Sequence, residues 1–349
     1  MSRMSKKQQL GTTGLLVPPI IFGTSCLGNL YQELSYQTKL AIASEWFKYI
    51  QPPVVLDSAG KYGAGLALEM IGKTLYDLGV KQDDVIISNK LGWKRVPLKG
   101  SEPTFEAGVW AGINHDAKQD ISYDGILRCW QQGKDLLGAQ YCPQIVSVHD
   151  PDEYLAAAVD QQERDQRFRQ VIGAYKALHE LKAAGEVKAV GVGAKDWMVI
   201  RKLADEVELD WVMFACSLTA YTHSAELLSF IDDLRRKNIG IINSAVFNAG
   251  FLVGGAYFDY RKPDPEKEPE LFAWRECFFK LCKKHSVRPA VACVQFGLSV
   301  SGVLAVAVNS GKPQRVRENV EAVTSQVPND FWVKMKQEGL IAKDYPYLG

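Results

Sequence analysis

The chain contains 349 residues, of which 47% are hydrophobic and 23% charged, and its formal net charge is +1. Its charges are interspersed, so it offers no basic stripe for nucleic acid. The first residues are polar, unlike a signal peptide, and no run approaches the roughly 18 apolar residues of a membrane helix. We therefore expect a single domain over residues 1–349 that resides in the cytoplasm and binds neither nucleic acid nor membrane.

The cysteines and histidines lack the spacing of disulfide frameworks and metal sites. Seven cysteines are an odd number and include no Cys-x-x-Cys pair, which favours free thiols. The five histidines are His115, His149, His179, His223 and His285, and they show no paired ligand spacing. We predict that the protein works without a metal.

Short apolar runs alternate with segments of helical period along the chain. A hairpin over Gln9–Val17, turned by Thr-Gly, comes first. Eight predicted strands follow, at 19–23, 52–56, 84–90, 144–149, 187–193, 211–216, 239–244 and 303–308. Helical segments are predicted between the strands at 35–50, 66–78, 122–137, 167–184, 197–207 and 224–237, and after the last strand at 313–324. This alternation predicts an α/β fold, a closed parallel (β/α)8 TIM barrel.

Three segments depart from the simple alternation. Residues Leu91–Ile121 show no clear period and predict a long loop after the third strand, with aromatic residues suited to cover a substrate. Residues Pro151–Arg164 are predicted to be a polar connection. A last helix over Asp330–Glu338 is expected to lie across the outside of the barrel or its mouth.

Four polar side chains fall at the ends of three successive predicted strands. Asp57 and Tyr62 follow the second strand, Lys90 ends the third and His149 ends the fourth. The carboxyl ends of parallel strands meet on one face of a barrel, where ligands bind. We therefore expect these four side chains to share one site.

The motifs around these residues resemble the aldo-keto reductase superfamily. Asp-x-Ala-x-x-Tyr-Gly at 57–63, the strand ending in Ser-x-Lys at 88–90 and His-Asp-Pro at 149–151 carry the resemblance. Within the superfamily, the chain is most similar to the D-threo-aldose, L-fucose and L-galactose dehydrogenases. Motifs of that subfamily stand at 27–31, 123–126, 149–152, 173–178 and 191–193. The resemblance implies a barrel whose bottom is plugged by the hairpin and a catalytic tetrad of Asp57, Tyr62, Lys90 and His149.

The resemblance also implies roles for the tetrad. Tyr62 exchanges a proton with the substrate oxygen, Lys90 lowers the tyrosine pKa, Asp57 pairs with Lys90 and His149 orients the substrate. In an aldose 1-dehydrogenase, hydride leaves C1 of a cyclic aldose for NAD or NADP and an aldonolactone forms. Tyr31, Trp93 and Trp110 are expected to contact the substrate, with the tryptophans stacking on a sugar face.

The cofactor is expected to bind where the last strand meets its helix. That segment supplies Asn309, Ser310, Lys312, Arg315, Glu318 and Asn319. The resemblance adds Gly23, Thr24, Gly193, Ser217, Ser244, Phe247, Gly250 and Leu252. Family members that prefer NADP have Lys where this chain has Asn309, so NAD and NADP both stay open. The chain also lacks the Ser-Asn that many relatives carry after the fifth strand and the Tyr-Ser-Pro-Leu after the seventh.

Three alternatives stay open at this stage. The same residues suit an NADPH-dependent aldehyde or ketone reductase, with Tyr62 as the acid, or a pyridoxal-type dehydrogenase. Outside enzymes, the barrel suits a nucleotide-binding regulatory subunit, although such a binder has no need of the whole tetrad. The expected partner is a small sugar or aldehyde, and the protein is expected to be a monomer or dimer.

Overall fold

Strands rich in Val and Ile form the centre of the structure, a computed structural model that describes residues 4–349. Eight of them close into a parallel barrel in sequential order, with the last strand paired to the first. They are β1 (Ile20–Gly23), β2 (Val54–Ala59), β3 (Val85–Leu91), β4 (Ile145–His149), β5 (Ala189–Ala194), β6 (Trp211–Ala215), β7 (Gly240–Ser244) and β8 (Val303–Val308). The predicted TIM barrel is confirmed.

The helices lie between the strands and after the last one. They are Tyr36–Tyr49, Leu66–Asp77, Tyr123–Leu137, Pro151–Ala156, Gln161–Ala183, Trp197–Glu206, Ala225–Arg236, Pro269–Lys284, Pro289–Gly297, Pro313–Thr324 and Asn329–Gln337. Short 3-10 helices lie at Ser25–Gly28, Gln82–Asp84 and Phe251–Val253. Within residues 4–349, no helix combines the length and apolar character that crossing a bilayer requires.

The predicted connection over Pro151–Arg164 is wrong. It contains the helix Pro151–Ala156 and the first turn of the helix Gln161–Ala183, whose N-cap Asp160 accepts a hydrogen bond from the amide of Glu163. The first residues of the longer helix are mostly exposed and polar, so they carry no apolar period.

The predicted long segment Leu91–Ile121 follows the third strand and is ordered, but it contains a β-hairpin that the sequence pattern did not predict. Strand Trp93–Pro97 pairs antiparallel with strand His115–Gln119. We call residues 98–114, which connect these two strands, the hairpin excursion. Phe105, Trp110 and Ile113 of the excursion are buried in a small apolar cluster of their own.

Alternation along the strands determines which side chains point into the barrel. Val55, Ile86 and Ile145 belong to the apolar cluster inside it. Side chains of a strand point to one face at every second residue. Asp57 follows Val55 by two positions, and Lys90 and His149 follow the other two by four. All three therefore point inward near the carboxyl ends of β2, β3 and β4.

The opposite end of the barrel is closed by the N-terminal hairpin. Gln8–Gln9 pairs with Leu16–Val17, as predicted. Leu10, Leu15 and Val17 join the interior cluster, beside the fully buried Trp211 of β6. The ring of Trp211 fills the space in front of Gly191, where an added Cβ would come within 2.4 Å of it. This end is thus packed solid, and the polar end remains for a ligand.

The final helix packs on the flank of the barrel. Asp330 at its start lies 3.2 Å from His285, which follows the helix Pro269–Lys284. Trp332 packs with Phe296 of the helix Pro289–Gly297. Of the two predicted positions, the helix thus takes the one outside the barrel.

Candidate active site

A buried ion pair forms the floor of the site. Lys90 Nζ lies 2.5 Å from Asp57 Oδ2, and Ser88 donates a 3.2 Å hydrogen bond to Asp57 Oδ1. Asp57 and Lys90 are 5% and 4% exposed, so water solvates neither charge and each charge is stabilised by the other. A buried charge is tolerated when it is paired in this way. The arrangement keeps both side chains fixed in the absence of any ligand.

Tyr62 lies directly over this pair. Its ring centroid is 4.9 Å from Lys90 Nζ and 5.6 Å from the ring of His149, which it meets edge-on at 83°. Gly63 holds the turn, since its φ is +60° and an added Cβ would lie 2.3 Å from the carbonyl oxygen of Gly28. The structure therefore brings together all four residues of the predicted tetrad.

The predicted effect of Lys90 on Tyr62 is corrected by the structure. Burial raises the pKa of Tyr62 well above its ordinary value, and the carboxylates of Asp57 and Asp150 raise it further. The main opposing effect on this pKa comes from the ammonium of Lys61. Lys90, whose charge faces that of Asp57, is not among the main causes of this shift in the pKa of Tyr62.

His149 is held as a neutral imidazole. Burial lowers its pKa well below the ordinary value, and the ammonium groups of Lys61 and Lys90 lower it further. Its Nε2 lies 3.3 Å from Asp150 Oδ2, while the buried Nδ1 has no hydrogen-bond partner in residues 4–349. The carboxylate favours the tautomer with the proton on Nε2.

Lys61 is a residue that the sequence analysis missed. It precedes Tyr62, is 5% exposed, and lies 2.7 Å from Glu106, 3.3 Å from Asp150 and 3.4 Å from Glu153. Although burial alone lowers its pKa, Asp150, Glu106 and Glu153 together raise it above the ordinary lysine value. Lys61 is thus a permanent cation beside Tyr62 and His149.

The predicted substrate residues border the same space to different degrees. Trp110 is 5% exposed and its ring lies 5.8 Å from that of Tyr62. Trp93 is partly buried, with Lys61 Nζ 5.1 Å from its ring. Tyr31 is the most open of the three at 37% exposure, and one of its faces stacks on Tyr257 at 4.5 Å.

Two predicted cofactor residues lie on the strand next to His149 and after the strand that follows it. Gly193 of β5 pairs with His149 in the sheet register, and a Cβ added there would point to within 3.9 Å of the Lys90 side chain. Ser217, after β6, is buried with its hydroxyl unpaired among the described residues. An orphaned hydroxyl next to a strand end is a ready donor or acceptor for a ligand.

Other predicted cofactor residues have their side chains engaged. Thr24 Oγ1 donates to the carbonyl oxygen of Asp57 at 3.0 Å, and Ser244 Oγ donates to that of Phe214 at 3.1 Å. Leu252 is fully buried and Phe247 packs against the core. These side chains are engaged within the protein. A cofactor could therefore contact these residues only through their backbone atoms. Gly250, which has a φ of +98°, starts the 3-10 helix Phe251–Val253.

The segment after β8 is open. Asn309, Lys312, Arg315 and Glu318 are exposed, and Ser310 and Asn319 are partly exposed. The side-chain Nδ2 of Asn309 donates to Ser25 Oγ at 2.7 Å, across from β1 and Gly23. No side chain of residues 4–349 caps the N-terminus of the helix Pro313–Thr324. Uncapped backbone amides with two cations nearby suit a phosphate group. Together with Ser217 and Gly193, they make this open end of the barrel suitable for a dinucleotide.

Tyrosines on the segment after β7 were also missed. Tyr257 stacks on Tyr31, and the ring of Tyr260 lies 5.8 Å from Lys195 Nζ. Asp259 between them accepts a 2.8 Å hydrogen bond from Asn248. Residues 254–268 show no periodic pattern, so the sequence did not indicate that these tyrosines lie near the open end of the barrel.

The site contains no metal centre in the part of the chain that the structure describes. No group of three His, Cys, Asp or Glu residues there is arranged to hold an ion. All seven cysteines are free thiols.

Comparisons with known proteins bear on the family and the fold. The model of the aldo/keto reductase family matches residues 19–338. A pyridoxal 4-dehydrogenase from Microbacterium luteolum is 28% identical, with 97% of this chain and 99% of that protein covered. A D-threo-aldose 1-dehydrogenase from Pseudomonas sp is 24% identical, with 97% and 98% covered. The solved structure of an aldo-keto reductase from Bacillus halodurans in its holo form is similar with a TM-score of 0.68 at 20% identity, over 96% of each chain.

Proposed function

Since this chain is an oxidoreductase that belongs to the aldo/keto reductase family, we propose that it oxidises a cyclic hemiacetal at the anomeric carbon and releases a lactone. The observation that carries the proposal is the buried Asp57–Lys90 pair beneath Tyr62, with His149 edge-on to the same ring. A bound NAD or NADP supplies the hydride acceptor. A nucleotide-binding regulator has no need of a buried ion pair beneath a tyrosine.

The chain's own residues handle the proton. Tyr62 accepts the proton of the anomeric hydroxyl as hydride leaves the same carbon, and His149 holds that oxygen through Nε2. The raised pKa of Tyr62 makes its phenolate scarce at neutral pH. Oxidation therefore becomes faster as the pH rises, and the same protonated Tyr62 serves as the acid in the reverse direction.

The first candidate substrate is an aldose in its ring form. The aromatic ring of Trp110 beside Tyr62 suits the apolar face of a sugar. Carboxylates at Asp150 and Glu153, which are 22% and 40% exposed, offer acceptors for sugar hydroxyl groups.

The second candidate is pyridoxal, and the 28% identity to a pyridoxal 4-dehydrogenase favours it. The aldehyde of pyridoxal closes onto the neighbouring hydroxymethyl group, so this substrate is also a cyclic hemiacetal. The two candidates thus share one reaction at one kind of carbon. They differ in the ring that has to fit beside Trp110.

The test is the absorbance at 340 nm of purified protein with NAD or NADP. The substrates are L-fucose, D-arabinose, L-galactose, L-xylose, D-glucose and pyridoxal. Reduction of the cofactor by the first four sugars, and not by D-glucose, supports the aldose; reduction by pyridoxal alone supports the second candidate. No reduction by any of them, together with oxidation of NADPH by simple aldehydes, would overturn the proposal in favour of a carbonyl reductase.

A further inference from the structure

The hairpin excursion contains a carboxylate that joins two parts of the site. Glu106 Oε1 lies 2.7 Å from Lys61 Nζ, and Glu106 Oε2 accepts a 2.7 Å hydrogen bond from the indole Nε1 of Trp110. The two oxygens of one side chain therefore hold both Lys61, which lies next to Tyr62, and Trp110, whose ring packs against Tyr62.

The backbone at Glu106 is held in an unfavourable conformation. Its φ is +46°, in the left-handed region that residues with a Cβ rarely adopt. Such strain persists where surrounding contacts determine it, and it is common at functional sites. Here the carbonyl oxygen of Glu106 accepts a hydrogen bond from the amide of Val109, which closes the turn leading to Trp110.

The excursion is anchored on its other side by the loop after β1. The amide of Tyr31 donates to the carbonyl oxygen of Val109 at 2.7 Å, and Asn29 Nδ2 donates to that of Ala111 at 2.9 Å. Trp110 is thus fixed at its backbone by one loop and at its indole nitrogen by Glu106. Its ring has little freedom to leave the face of Tyr62.

The contacts of Lys61 extend from Glu106 to the catalytic imidazole. Lys61 Nζ lies 3.3 Å from Asp150 Oδ2, and the same oxygen lies 3.3 Å from His149 Nε2. A continuous chain of polar contacts thus runs from the excursion to His149. Because Lys61 is buried, loss of one of its carboxylates is not compensated by water.

We propose that Glu106 is a positioning residue that sets the substrate-binding wall, by holding Trp110 against Tyr62 and Lys61 against Asp150. The nature of the substrate in this proposal rests on the proposed function. The position of Trp110 rests on the geometry alone. Among the described residues, the ion pair and the side-chain hydrogen bond of Glu106 go to Lys61 and Trp110 and not to the tetrad or the cofactor segment, so substrate binding should depend on Glu106 more than cofactor affinity does.

The test compares Glu106→Ala and Glu106→Gln with Glu69→Gln as a matched control. Glu69 also ties the hairpin to the helix Leu66–Asp77, through a 2.9 Å ion pair with Arg95, and forms no ion pair with Lys61 among the described residues. Glu106→Ala is expected to raise the KM of the oxidised substrate at least ~10-fold, the range for losing a charge-assisted hydrogen bond. The kcat and the KM of the cofactor should change less. Glu106→Gln keeps an acceptor for Trp110 and should fall between Ala and wild type, which a general loss of folding would not produce.

A second readout needs no substrate. The fluorescence of Trp110, isolated as the difference from Trp110→Phe in each background, is expected to become at least ~2-fold more sensitive to acrylamide in Glu106→Ala, because an indole that loses its buried position gains access to solvent. Glu69→Gln should leave it unchanged. If the quenching of Trp110 is unchanged in Glu106→Ala, or if its KM equals that of Glu69→Gln, the positioning role is wrong. Absence of turnover by the wild-type protein with sugars and pyridoxal would instead count against the proposed function, and the fluorescence result would still decide the role of Glu106.

Discussion

The two halves of the barrel mouth hold their polar side chains in different ways. At the ends of β2, β3 and β4, Asp57, Lys90 and His149 are at most 5% exposed, and each lies against a charged or polar neighbour. After β8, Lys312 and Arg315 are exposed and form no ion pair among the described residues. The first half is organised before any ligand arrives, whereas the second offers contacts that a ligand must complete. Substitutions in the first half should therefore change turnover and stability, and those in the second should change cofactor choice.

The largest effect is expected at Tyr62. Tyr62→Phe removes the proton carrier and should lower kcat at least ~100-fold, the range of general acid-base catalysis. Cofactor binding, measured by fluorescence titration, should be retained, since the ring remains. Turnover equal to that of the wild type would show that another group exchanges the proton.

The next effect is on stability, in the same half. Lys90→Met leaves Asp57 as a buried charge without a partner and should lower the free energy of unfolding by ~3–5 kcal/mol, measured in urea. The double variant Asp57→Asn with Lys90→Met should lose less than the sum of the two single changes. Lys267→Met, which removes an 83% exposed lysine paired with Asp264, is the control and should match the wild type. Simple addition of the two single effects would mean that the pair is not coupled.

How well these residues could be predicted depends on how local their signals are. Asp57, Lys90 and His149 were predictable because strand alternation and the barrel's common end place them by sequence position alone. The contact between Lys61 and Glu106 was not, because it joins residues 45 positions apart through a hairpin with an irregular excursion. Single-sequence periodicity carries no information on such pairs.

The same reasoning explains why no helix was predicted over Pro289–Gly297. Pro289–Gly297 is buried on most of its surface, so it has no polar face and no apolar period. It begins with Pro at its first turn, which is a start signal, but nothing in the periodicity supports that signal. The segment after β8 is the opposite case. Its residue types predicted a cofactor site from the sequence, whereas only the structure shows that Lys312 and Arg315 form no ion pair among the described residues.

In the open half, a single substitution should change cofactor choice. Asn309→Lys adds a cation beside the uncapped helix and should raise the ratio of kcat/KM for NADP to that for NAD about 10-fold. Arg317→Ala is the matched control, because that arginine pairs with Glu321 at 2.8 Å on the same helix. An unchanged ratio in Asn309→Lys would place the adenosine ribose elsewhere.

The smallest effect is an expected absence of change at His149. Its lowered pKa means that the imidazole is already neutral at pH 8 and stays neutral as the pH falls through the ordinary histidine range. Its NMR resonance, assigned with His149→Gln, should therefore not titrate between pH 8 and pH 6. A midpoint near the ordinary histidine value would mean that burial and the two lysines do not control this group.

The most direct test of the proposed chemistry follows the hydride itself. L-fucose and L-galactose deuterated at C1, and pyridoxal deuterated at its aldehyde carbon, are each incubated with the protein and NAD or NADP, and the reduced cofactor is analysed by mass spectrometry. The account predicts one deuterium in the reduced cofactor from at least one of these substrates, with a lactone as the first product. Cofactor reduced without deuterium, or no reduced cofactor from any of the three, would contradict hydride transfer from a cyclic hemiacetal.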